Sequence, residues 1–138
     1  MRRTAAFSTG LSLLLSALIL SSGDGSTYAQ QQPTIRRQPL LQRDSTIPGY
    51  DLAMTIVEIP AGVSEIRHTH PGPLAVYVSE GELVLEHEGR PSATYKAGES
   101  FLVESGKIHQ GINRGTVTVK LITTLVAEKG KPANSPAQ

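Results

Sequence analysis

An all-β fold, a sandwich or barrel of short antiparallel strands, is what this chain predicts, and three observations predict it. No segment beyond residue 29 repeats apolar residues at the 3.6-residue helical period with capping residues at its ends. Runs of strand length rich in β-branched residues recur, the longest being Thr116–Val126, TVTVKLITTLV. Glycine and proline turns separate them at short, regular intervals, as in Pro60-Ala61-Gly62, Glu80-Gly81, Gly89-Arg90-Pro91, Ala97-Gly98-Glu99 and Ser105-Gly106-Lys107. Closure into a barrel would also hide the strand edges that such a chain otherwise exposes.

The elements follow in order. Arg2 and Arg3 precede the apolar run Leu11–Leu20, and Thr27-Tyr28-Ala29 offers small residues before a cut. Residues 1–29 are therefore expected to be a signal peptide cleaved after Ala29. The apolar run has only about half of the roughly 20 residues a spanning helix needs, which argues against stable membrane insertion. The chain has no cysteine, so a lipid anchor on cysteine is excluded. The location expected is periplasmic or secreted.

Residues 30–45 read as an N-terminal arm in which Pro39 suits an edge strand. Residues 46–128 form the barrel domain. Its expected strands are Tyr50–Ile59, Val63–Thr69, Leu74–Ser79, Glu82–Glu86, Ser92–Lys96, Ser100–Glu104, Ile108–Asn113 and Thr116–Ala127. Residues 129–138 are polar and proline-containing, and are expected to be a disordered tail.

Composition narrows the partners. A length of 138 residues suits one domain. The formal net charge is +1, and loss of Arg2, Arg3 and Asp24 with the leader leaves the remainder neutral. The basic residues form no patch, and there is no tryptophan to stack on bases, so nucleic acid is not an expected partner. An exported chain without disulfides must rely on its packed core, with metal binding as further support.

The chemistry centres on His68 and His70. At a spacing of i, i+2 on a strand their side chains share a face, placing two imidazoles side by side as a metal requires. His109 follows a strand and a glycine turn and can return to the interior beside them. Three histidines from two strands would form a facial set with open positions for water or substrate.

These residues carry a family resemblance. Gly62, His68, His70, position 74 and Gly81 are spaced as in the first motif of the cupin superfamily. Gly98, position 104, Gly106, His109 and Asn113 are spaced as in the second. The chain resembles a small single-domain cupin over about residues 46–128. The resemblance implies an antiparallel jelly-roll β-barrel, a homodimer, and a divalent metal ion (iron, manganese, nickel or zinc) held by His68, His70 and His109. It departs from the pattern at Leu74, where the first motif has a glutamate ligand, and at Glu104, where the second has proline. Cupins with three histidines and no carboxylate ligand exist in the family. Such a site leaves the ion's charge uncompensated, which favours an acidic bound water and an anionic ligand.

The remaining residues have plainer expectations. Glu104 is read as a solvated loop residue, with a replacement ligand as the alternative. His87 is read as an exposed turn histidine, and Asn113 as satisfying turn backbone. Strand alternation places Ser64 and Ile66 inward with the histidines, and Glu65, Arg67 and Thr69 outward. Leu74, Val76 and Val78 face in, joined by Phe101 and Val103 or else by Leu102. The cavity then looks mainly apolar, without a second acid–base residue. The leading function is a metal-dependent enzyme acting on a small molecule, oxygenase- or isomerase-like. The rivals are a non-catalytic small-ligand or metal-binding module and a barrel whose metal site has decayed.

Overall fold

The computed structural model describes residues 33–138. The expected signal peptide and its cleavage site lie outside the described residues. Ten strands follow one another with, among the described residues, no helix. They are β1 (Arg36–Asp44), β2 (Tyr50–Ile59), β3 (His68–Thr69), β4 (Leu74–Glu80), β5 (Glu82–His87), β6 (Ala93–Lys96), β7 (Ser100–Val103), β8 (His109–Ile112), β9 (Val119–Glu128) and β10 (Ser135–Pro136). All pairings are antiparallel, in two five-stranded sheets ordered β1-β2-β9-β4-β7 and β10-β3-β8-β5-β6. This is a jelly-roll barrel, as expected.

The core follows the residue alternation. On β4, Leu74, Val76 and Val78 are buried while Tyr77 is exposed. On β9, Val119, Leu121, Thr123 and Leu125 turn inward in the same rhythm. On β7, Val103 is fully buried and Leu102 is 49% exposed, which decides the inward set as Phe101 and Val103. Ile59, Leu83 and Val78 fill the centre of the shared apolar interior. Burial on this scale is the main stabilising term of a small domain that has no disulfide.

Three expectations are corrected. The strand expected over Val63–Thr69 is regular only at His68–Thr69, with an isolated bridge from Ser64 to Ile112. After the turn closed by Val63 N–H on the Pro60 carbonyl, the chain does not hold strand pleat, so alternation does not apply there. Ser64 and Ile66, expected inside, are both exposed, Ile66 at 67%, and Glu65, expected outside, turns inward.

The tail expected to be disordered forms β10. Its backbone pairs with β3, and Ala137 N–H donates to the Arg67 carbonyl at 2.9 Å. Polar composition reports that a segment buries little; it does not report whether an open strand edge is available to its backbone. The N-terminal arm becomes β1 at a sheet edge, with a register shift between Pro39 and Leu41 where proline offers no donor.

Candidate metal centre

His68 and His109 are direct cross-strand partners of β3 and β8, so their rings project on one face. His70 follows just beyond β3. The ring centroids lie 4.8 Å (His68–His70), 4.3 Å (His68–His109) and 4.9 Å (His70–His109) apart. A ring nitrogen of each lies within 4.8 Å of the other two. The structure thus brings together all three histidines named from the sequence.

Hydrogen bonding fixes which nitrogen is available. Nδ1 of His68 lies 2.7 Å from the Ile66 carbonyl, Nδ1 of His70 2.7 Å from the Ala133 carbonyl, and Nδ1 of His109 3.1 Å from the Lys107 carbonyl. A carbonyl only accepts, so each Nδ1 donates and each Nε2 keeps its lone pair. Nε2 of His70 is buried without a hydrogen-bond partner. Buried polar atoms are normally satisfied, and this one fits a place for an ion. The donor set suits a divalent metal.

Burial lowers the pKa of His70 and takes that of His109 down to about 4. In both, a carbonyl hydrogen bond opposes the shift and the neighbouring His68 ring adds to it. Neutral imidazole is the form that ligates. The consequence for stability has a definite sign. Unfolded rings protonate near 6.5, while these folded rings resist protonation to lower pH. The folded state therefore binds fewer protons in that window, and the metal-free protein is expected to lose stability as pH falls from 6.5 toward about 4. Thermal melts across this range should show a falling Tm, and His109→Gln should flatten the slope. An equal slope in the variant would contradict this assignment.

The histidines open on a cavity of about 140 Å³, close to the roughly 150 Å³ that holds a benzene-sized guest. Its walls are largely aliphatic, and Leu74 is one of them, 8% exposed. The sequence reading missed two charged residues lining it, Arg37 from β1 and Glu65. Arg37 Nη2 donates to Glu65 Oε1 at 2.8 Å, and the Glu65 side chain is only 13% exposed. An acid–base residue is therefore present. The signal for it is Gly111 inside β8, where a Cβ would come 2.9 Å from Glu65 Oε2. A glycine inside a strand marks close approach of another group. Ala133 and Asn134 of the tail also line the cavity.

One further expectation is corrected, and the alternative raised for Glu104 falls away. His87 is not exposed; it is buried on β5, opposite His109, with ring centroids 6.4 Å apart. Glu104 does not reach the three histidines. Its Oε2 lies 3.0 Å from His87 Nε2, outside good hydrogen-bond alignment, and its other oxygen pairs with Arg90. Asn113 behaves as expected, donating to the Ile59 and Val117 carbonyls at 2.8 Å and accepting from Gly115 N–H.

Fold and site together define a jelly-roll barrel with a three-histidine cluster in its interior. The family model of the cupin domain matches residues 55–125, and the chain belongs to the cupin family. It is similar in structure to a cupin superfamily protein from Desulfitobacterium hafniense (TM-score 0.60, 15% identity, covering 71% of this chain and 82% of that one). It is also similar to an uncharacterised conserved protein with a double-stranded β-helix domain from Klebsiella pneumoniae (TM-score 0.61, 19% identity, 78% and 90% covered). A third similar structure is the DMSP lyase DddQ from Ruegeria pomeroyi (TM-score 0.54, 24% identity, 62% and 43% covered). No curated protein matches the chain in sequence.

Proposed function

We propose that this chain is an exported cupin that binds one divalent metal through His68, His70 and His109 and acts on a small, largely apolar molecule. The observation that carries this is the common orientation of the three rings: every Nδ1–H is tied to a backbone carbonyl, leaving every Nε2 to a ligand. When bound, the ion would supply Lewis acidity toward a substrate oxygen. The chain's own residues do the rest. The aliphatic walls exclude water and receive the hydrocarbon part of the substrate. Glu65 is placed to hold or move a proton, and Arg37 holds its carboxylate in position. This favours isomerase- or oxygenase-like chemistry, and the likeness to a lyase is compatible with it. Imidazole suits iron, manganese, nickel and zinc alike, so elemental analysis names the ion.

Export rests on the leader-like residues 1–29. Homodimer formation rests on the outer strand β1, which leaves Leu40 and Leu41 exposed, and light scattering measures it.

The test is metal content of the purified protein beside a His68→Ala/His70→Ala variant. The expected result is about one ion per chain in the first and a loss of at least tenfold in the second. Equal, negligible metal in both sinks the proposal. A second reading, a non-catalytic binding module, is favoured by one observation: the cavity's acid–base residue is already neutralised by Arg37. Tight retention of a ligand, with no turnover of small acids, thiols or diketones, would decide for it.

A further inference from the structure

His70 differs from its two companions in what holds it. His68 and His109 each donate to a carbonyl two residues earlier in their own loop. His70 donates to Ala133, 63 residues away in the C-terminal segment. That segment lies outside the residues matched to the cupin domain. It carries no buried side chain: residues 128–136 are all exposed. Backbone contacts hold it across the cavity, namely the pairing of Ser135 with Thr69 and Pro136 with His68, and Ala137 N–H on the Arg67 carbonyl. Pro136 has no N–H to contribute. Ala133 and Asn134 form part of the cavity wall.

We infer that residues 133–138 form a detachable strap that positions the His70 ring and covers the cavity, so that opening the site and releasing this ring are one event. A segment with few buried apolar contacts and exposed backbone hydrogen bonds opens at lower free energy than the barrel it lies on. When it lifts, the Ala133 carbonyl leaves His70 Nδ1, while His68 and His109 keep their local acceptors. Access and ligand order are thereby coupled through a single backbone carbonyl. The inference deepens the metal-site reading, but its structural part stands on the apo protein alone.

The experiment compares the full chain with a chain ending at Pro132. Long-range proton–nitrogen NMR of the imidazoles, without metal, reads each tautomer. The expected result is that His70 loses its Nδ1–H form in the shortened chain while His68 and His109 keep theirs. In a second variant, Ala137→Pro removes the N–H given to Arg67 without shortening the chain, and His70 alone should shift in part. An unchanged His70 in both variants overturns the inference. So does collapse of all three signals in both, which would make the segment part of the barrel's stability. Cobalt(II) titration adds the functional arm: affinity should fall by about tenfold or more in the shortened chain, the usual effect of losing such an outer hydrogen bond. If the full chain takes up no cobalt, the metal reading fails, and the tautomer result still decides the strap.

Discussion

Leu74→Glu is expected to destabilise the metal-free protein by about 3–5 kcal/mol and to make its stability strongly metal-dependent. The loss combines a leucine's burial, about 2 kcal/mol, with an unsatisfied polar group, about 1–3 kcal/mol. Leu74 is 8% exposed, and its neighbours in the cavity wall are aliphatic. Burial should raise the new carboxyl's pKa, so the penalty should deepen as pH rises and the folded state retains a proton that the unfolded chain has released. Metal should reverse the loss, because the motif spacing read from the sequence implies that position 74 is where a cupin would carry a carboxylate ligand. Urea unfolding with and without a divalent ion measures both parts. An unchanged metal-free stability would show that the side chain escapes the cavity. A variant stabilised by metal no more than the parent would show that the carboxylate does not reach the ion.

Gly72→Ala should be as damaging, for a reason of contact alone. A Cβ there would overlap severely with the Val126 carbonyl oxygen, which is backbone and cannot rotate away. The turn cannot simply lift, since Val126 N–H donates to the Pro73 carbonyl at 3.2 Å and Glu128 N–H to that of Pro71 at 3.4 Å. A loss of at least about 3 kcal/mol is expected, at the upper end of the cost of overpacking. Metal affinity should fall with it, because Pro71 follows His70 directly. Gly89→Ala is the control. Nothing lies within 4 Å of a Cβ there, and only the left-handed backbone, φ 79°, opposes it. Its cost should stay near 1–2 kcal/mol. Equal losses in denaturant melts of the two variants would remove the steric argument.

The legible parts of this molecule are those in which neighbours in sequence share one environment. β4 and β9 alternate cleanly, so their inward faces can be read directly. His68, His70 and His109 are legible through two spaced motifs, which compress a three-dimensional cluster into fixed intervals. Glu65 is not legible, because its segment lies between a turn and a two-residue strand and follows no period. Its partner Arg37 lies 28 residues earlier on β1. His87 was within reach: Leu83 and Leu85 are buried on alternate positions of β5, and one more step of that alternation places His87 inside. The C-terminal segment was beyond it, since its order comes from backbone pairing with β3 and its composition records only that it stays wet.

The division of the barrel into two sheets has a consequence for how this protein could change over time. His68 and His109 stand on the β3-β8 side, while Val57, Val76, Phe101, Leu121 and Leu125 of the cavity wall stand on β2, β4, β7 and β9 of the other sheet. Substitutions among these aliphatic and aromatic positions can reshape the chamber without moving a nitrogen of the cluster. On the proposed function, change at these five positions would tune substrate preference while leaving the metal ligands in place, whereas Leu83 and Leu85, which line the same chamber from the histidines' own sheet, would couple the two.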